Sequence, residues 1–252
     1  MAKQKGIIKL RGTIGDITFY KSQDGHLARE KGGVDAKRMA TDPAFQRTRE
    51  NGSEFGRAGS SGKLLRTAFR SILMSSSDGR MTSRLTQQMM RVIKADSTSV
   101  RGMRNVIDGE AELLTGFEFN IRSSLSSTFF APLEPSIDRV TGELKLEIPS
   151  FTPLSMIAAP VGSTHYKIIS AGALVDFIAG TFTLVTSETL PLPWDMVASA
   201  PLSQVNGLPA ASTAPLFMVM GIEFYQEVNG VFYPLNNGAF NAFTILKVDG
   251  GV

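Results

Sequence analysis

Apolar and polar residues alternate in two short bursts at the start of the chain, from Gly6 to Leu10 and from Ile14 to Phe19, around the segment Gly12 to Asp16. A period of two puts alternate side chains on one face, so this pattern predicts a β-hairpin. A second turn at Gln23-Asp24-Gly25-His26 leads into Leu27-Ala-Arg-Glu-Lys as a third strand, and Gly32-Gly33 ends the ribbon. Such a ribbon is marginal alone in water and must lie on its own chain's core or on another molecule. An extended arm of this kind can also grip a neighbour by strand addition.

The period then changes to that of a helix. Thr41 or Asp42 can accept from the first free backbone N–H groups, and Pro43 suits the first helical position. At 100° per residue Phe45, Thr48, Gly52, Phe55, Gly56 and Gly59 share one stripe, whereas Leu65, Ala68, Phe69 and Ile72 share another. The offset predicts two helices with a break at Gly59-Ser60-Ser61-Gly62. Each interior glycine costs about 0.5–1 kcal/mol relative to alanine, so Gly52, Gly56 and Gly59 on one face imply a closely approaching backbone, of this chain or of a neighbouring copy. Farther on, Met81, Leu85, Met89 and Val92 line one face of a helix from Arg80 to Ala95, with Arg80, Arg84, Arg91 and Lys94 on an adjoining face. Asp108 to Gly116 predicts a brief capped helix that delivers the chain into Phe117-Glu-Phe-Asn-Ile.

Strand patterns follow. Leu144-Lys-Leu-Glu-Ile alternates; His165 to Phe177 and Thr181 to Thr186 are rich in β-branched and aromatic residues, with a turn at Ala179-Gly180. Asn229-Gly230 between two apolar runs is a strong hairpin signal, and Asn237-Gly238 precedes a terminal strand from Phe243 to Val248. About seven short strands of this kind predict an antiparallel β-sandwich of immunoglobulin-like size. The expected fold is therefore α+β: a basic β-ribbon and helical region over 1–115, then an acidic sandwich domain over 116–252.

The 252 residues, 42% hydrophobic and 19% charged, suffice for two modest domains. No apolar run nears the roughly 18 residues of a membrane span, and the N-terminus has no signal-peptide core, which predicts a soluble protein made in the cytoplasm. Release from the cell would then require lysis or a dedicated machine. The absence of cysteine excludes disulfides, thiolate ligands and a cysteine nucleophile. Residues 1–124 carry 22 Lys+Arg against 13 Asp+Glu, and residues 125–252 carry 4 against 10. That asymmetry fits a nucleic-acid-binding half, head-to-tail attraction between copies, or two differently solvated domains.

Catalytic patterns are weak. Gly56 to Lys63 superficially matches a phosphate-binding loop, but the glycine spacing is one residue too long and Leu64 stands where a metal-binding hydroxyl is needed. With His26 and His165 as the only imidazoles, a zinc site would need carboxylates gathered from several strands. Glu223 and Glu227 would lie about 13 Å apart along a strand, too far for a glycosidase pair. Trp194 reads as a packing anchor under a loop. The expectation is a non-enzyme with no cofactor and no metal.

The blocks GIIKLRGTIGDITFYKSQDGHLAREKGG and RTRENGSEFGRAGSSGKLLR, with the tail GIEFYQEVNGVFYPLNNGAFNAF, resemble a family of uncharacterised proteins found in Bacteroidetes and their mobile elements. The resemblance implies that these blocks form one unit and brings no activity with it. The function expected is a structural subunit that self-assembles into a filament, virion or related particle. Its partners would be copies of itself and other particle components. Contacts are expected from Ile7, Ile8, Leu10, Ile14, Ile17 and Phe19 of the ribbon and from Gly52, Phe55, Gly56 and Gly59 of the helix. The alternative is a nucleic-acid-binding accessory protein using Arg80, Arg84, Arg91 and Lys94.

Overall fold

A strand buried on both faces organises most of this chain. The computed structural model describes residues 2–30, 32–235 and 239–251, and the chain divides into two compact units, 1–49 and 50–252. The predicted turn at Asn237-Gly238 and residue Lys31 lie outside the described residues.

The first unit is a four-stranded antiparallel sheet in the order β1-β4-β3-β2, formed by β1 (Ala2–Lys3), β2 (Gly12–Ile14), β3 (Ile17–Ser22) and β4 (Gly25–Glu30). The predicted hairpin turns on Gly15 at φ +56°, with Ile14 paired to Ile17. Gly6 to Leu10, expected as strand, forms a loop instead. The Gln4 side chain replaces the ladder there: its Oε1 accepts the Leu10 N–H at 2.8 Å, and its Nε2 donates to the carbonyls of Leu10 and Leu27 at 3.3 and 3.0 Å. Ile7 and Ile8 are left at the loop tip, 102% and 81% exposed. Among the described residues of this unit only Leu27 is buried. A short helix α1 (Ala36–Thr41) follows, and Asp42 caps a single turn at Pro43–Phe45 by accepting the Ala44 N–H at 2.9 Å.

In the second unit the central sheet has β11 (Leu216–Val228) paired with β7 (His165–Asp176) and β13 (Ala242–Asp249). β12 (Val231–Pro234) extends it from β11, β8 (Thr181–Glu188) borders β7, and β9 (Leu192–Pro193) pairs with one end of β7. A three-stranded antiparallel sheet is made by β5 (Glu134–Asp138), β6 (Glu143–Ile148) and β10 (Leu202–Gly207). Alternation along the central strands sends side chains to two cores. Tyr166, Ile168, Met218, Met220, Ile222 and Phe224 pack with Leu144, Leu146 and Ile148 of the three-stranded sheet. Ile169, Ala171, Ala173, Phe217, Val219 and Ile245 pack against helices instead. Two buried faces explain why β7 and β11 read as long apolar runs. Gly221 is needed at one crossing, since a Cβ there would stand 2.9 Å from the Phe243 ring.

The helices that cover the central sheet are α2 (Gln46–Ala68), α3 (Arg70–Leu73) and α4 (Met81–Ala95), and two single turns, α5 (Leu125–Thr128) and α6 (Pro153–Met156), lie farther along the chain. The break expected at residues 59–62 does not occur: α2 runs on to Ala68, and the chain turns at Phe69, with φ −92° and ψ 15°. Glu54, Ala58, Gly62, Leu65 and Phe69 form one buried stripe at helical spacing, and Leu85 and Met89 of α4 pack over Gly62. Ala58 and Gly62 are small, so a search for bulky residues reads this stripe as a gap. On α4 the expected face, Met81, Leu85, Met89 and Val92, is buried. The expected helix after Asp108 reduces to one 3-10 turn, Ala111–Leu114.

The coarse class is as expected, helices plus antiparallel sheets with strands dominating the later part. The boundary expected at 115/116 instead runs through one core, because Leu65, Phe69, Leu85 and Val92 share it with Phe119, Ile169, Phe217 and Phe243. Among the described residues nine strands follow residue 116, two more than the sequence pattern indicates. The Asn229-Gly230 turn is as expected: φ is +54° and +79°, and Val228 pairs with Val231.

Candidate assembly face

The outward side of α2 carries Gly52, Phe55, Gly56 and Gly59, while Glu54, Ala58 and Gly62 face the core. A Cβ added at Gly52, Gly56 or Gly59 would meet no atom within 4 Å among the described residues. Among the described residues no backbone makes the close approach that the sequence implied. Phe55 lies 60% exposed on the same side.

Beside Gly56 opens a cavity of about 520 Å³, bordered by Arg57, Ser60, Ser61, the segment 105–108 and the tip Phe177-Ile178 of the β7–β8 hairpin. Its walls are fixed by polar contacts. Arg57 Nη1 donates to the carbonyls of Gly102 and Arg104 at 2.6 and 3.0 Å, and buried Glu54 accepts the Gly102 N–H at 2.8 Å. Asp96 anchors the near end of that loop by accepting backbone N–H groups of Thr98, Ser99 and Asn105 at 2.9, 2.8 and 3.1 Å. Burial alone would raise its carboxyl, but these donors hold it well below the usual carboxylate range. Asn105 in turn accepts from the N–H groups of Ile107 and Asp108 at 2.8 and 2.9 Å. At the hairpin tip, Asp176 accepts from Ile178 and Ala179 at 2.8 and 2.9 Å, presenting Ile178 outward at 84% exposure. This is a preformed concavity with apolar prominences. Among the described residues no three acidic or histidine side chains gather as a metal site would require, and no helix is long and apolar enough to cross a membrane.

The ribbon residues fall into two sets. Ile7, Ile8, Leu10, Ile14 and Ile17 are exposed, and Phe19 is half-buried on β3. β2 is an edge strand, so one row of its backbone groups faces no partner strand.

The four cations of the alternative site are not equivalent. Arg80, Arg91 and Lys94 are exposed. Arg84 is ion-paired with buried Asp78, donates to the carbonyls of Glu118 and Phe119 at 2.6 and 3.2 Å, and lies over the Phe117 ring. That arginine ties α4 to the segment leading into the strands and has little left for a phosphate. His165 Nε2 faces the Glu227 carboxylate at 3.6 Å, with Phe232 edge-on to its ring. Glu223 accepts from Ser75 and Tyr225 hydroxyls at 2.7 and 2.6 Å. Trp194 donates to the Ile157 carbonyl at 3.3 Å, as a packing anchor would.

Sequence reasoning found the glycine face but not its surroundings. Arg57, Asn105, Phe177 and Ile178 reach it from three segments, and the one local hint was Asp96-Ser-Thr-Ser, a pattern suited to a side-chain-capped turn. The chain matches no family model, no curated protein and no solved structure.

Proposed function

We propose that this chain is a non-enzymatic structural subunit that assembles with copies of itself, and with other particle components, into a filament, virion or related particle. One observation carries the reading: three glycines stand on the outward face of a 23-residue helix, and a Cβ at any of them would meet no atom of the described residues within 4 Å. Their summed cost, about 1.5–3 kcal/mol, is offset if a second backbone approaches there. Support also comes from the N-terminal sheet, which leaves Ile7, Ile8, Ile14 and Ile17 exposed beside an edge strand. The charge division points the same way, since residues 1–49 carry 11 Lys+Arg against 5 Asp+Glu and residues 50–252 carry 15 against 18. Opposite signs on the two units favour a heterologous, repeating contact. We read the two sheets of the second unit as a β-sandwich that serves as the rigid body of the subunit, and the chain as kin to the Bacteroidetes family its N-terminal blocks resemble.

Light scattering across concentration and salt, followed by negative-stain imaging, tests this. Regular polymers or rings are expected, and Gly56→Leu is expected to stop them while leaving the fold intact. A monodisperse monomer at every condition sinks the reading. The second reading, nucleic-acid binding, rests on exposed Arg80, Arg91 and Lys94 together with the basic first unit. It predicts salt-dependent retention of DNA or RNA that is lost when those three become glutamine.

A further inference from the structure

A second cavity lies far along the chain from the glycine face. It encloses about 340 Å³ between Phe151, Tyr166, Ile168, Leu192, Pro201 and Leu202, and Asp195 contributes the one charged side chain of its lining. Its walls are mainly apolar; of the four polar side chains that break them, Thr189 and Ser199 accept from the Ile168 and Phe151 N–H groups at 3.1 and 3.2 Å, and Tyr166 and Asp195 are the other two. Tyr166 is almost wholly buried, and no hydrogen bond of its hydroxyl occurs among the described residues. Asp195 spends Oδ1 on the Val197 N–H at 2.9 Å and keeps its other oxygen. The pocket therefore suits an occupant that is aliphatic, offers a hydrogen-bond acceptor to the tyrosine and carries positive charge beside the aliphatic part.

The chain itself contains a segment of that description. Lys5-Gly6-Ile7-Ile8-Lys9 projects as a loop whose base is closed by Gln4, with Ile7 fully exposed and a lysine on either side. Lys9 Nζ donates to the Gln4 carbonyl at 2.6 Å, which steadies the tip. Two adjacent solvent-exposed isoleucines on a braced loop are unusual for a surface with no partner. A cavity of about 150 Å³ admits a benzene ring, so about 340 Å³ has room for both isoleucine side chains. We propose that this cavity receives the Ile7-Ile8 tip of a second copy of this chain, with a tip carbonyl accepting from the Tyr166 hydroxyl and Lys5 or Lys9 meeting Asp195. The inference rests on the self-assembly reading and specifies one of its contacts. Knob and socket are formed by different residues of the chain, so each copy offers one of each and a contact between copies can repeat.

The test uses full-length variants that the exposed positions should tolerate: the knob variant I7D/I8D, and the socket variant A198W, which fills the cavity from an exposed lining position. Circular dichroism checks that each is folded, and A198D replaces A198W if tryptophan disturbs the fold. Each variant alone should lose association by at least about tenfold, the effect expected for burying an isoleucine side chain. Mixed together they should form a one-to-one complex by light scattering, because the socket variant's intact knob fits the knob variant's intact socket. A fluorescent peptide of residues 4–11 should bind the knob variant saturably, and adding D195N should weaken that binding. The inference is overturned if both variants polymerise like the parent, if the mixture stays monomeric, or if an apolar dye fills the cavity and the peptide never displaces it. Parent-like polymers of both variants, with Gly56→Leu still monomeric, would leave the assembly reading standing; a parent that never associates removes both.

Discussion

The backbone N–H of Gly102 donates to the Glu54 carboxylate at 2.8 Å, joining residues 48 apart in sequence. One turn further along α2, Arg57 takes the carbonyl of the same glycine. Both peptide groups of Gly102 are thereby held by one helix, and the loop beside the glycine face inherits that helix's rigidity. Gly102 sits at φ +86°, and a Cβ there would stand 2.9 Å from Glu50 Cγ and 3.1 Å from its Cα. Gly102→Ala is therefore expected to destabilise the fold by about 1–3 kcal/mol, through the strained backbone and the contact together. Denaturant unfolding measures the loss, and hydrogen exchange should show it concentrated over residues 97–110; an unchanged midpoint would count against this account of the loop.

Asp96 gives a pH-dependent version of the same argument. Its folded-state affinity for protons is depressed, so its contribution is fully present above the ordinary aspartate value near 3.9 and is lost as pH falls through the lower folded value. Asp96→Asn keeps one acceptor oxygen but turns an amide toward the Asn105 N–H. The expected cost near neutral pH is about 1–3 kcal/mol, shrinking toward zero as the parent's own carboxyl becomes protonated in strong acid. Chemical denaturation of both proteins from pH 7 to pH 2 should show the difference narrowing below about pH 4.

Two glycines on the same helix differ in what an added side chain would meet. A Cβ at Gly62 would lie 3.6 Å from Leu85 Cγ, an ordinary contact, so Gly62→Ala should stabilise by about 0.5–1 kcal/mol through lower chain entropy in the unfolded state. Gly56 has open space around it, so Gly56→Leu should leave the melting temperature equal or higher while removing association. If Gly56→Leu unfolds the protein, the outward face is not free, and the assembly argument from it fails.

Arg84 separates architecture from binding on α4. Arg84→Gln removes the partner of buried Asp78 and the bonds to Glu118 and Phe119, and is expected to cost about 1.5–3 kcal/mol. Replacing Arg80, Arg91 and Lys94 together should change stability by far less, because exposed charges contribute little. Thermal melts compare the two variants; equal losses would contradict the division of labour described for this helix.

Much of the second unit was legible in the sequence because its signals are local. The alternation in Leu144 to Ile148, the Asn229-Gly230 turn and the apolar face of α4 each depend on residues within a few positions of one another. The same holds for the hairpin turn at Gly15. What the sequence hid depends on contacts between distant segments. Whether Gly6 to Leu10 pairs as a strand depends on where the Gln4 side chain reaches, and here it takes the groups a ladder would have used. Whether α2 breaks at Gly59 depends on α4, whose Leu85 and Met89 give Gly62 a partner. The extent of the core depends on β7 and β11 being covered on both faces, which joins the helices to the sheets across the boundary that charge and texture suggested. Periodicity determines which side of an element is apolar; only the tertiary structure decides what covers it, because burial is settled between elements and not within one.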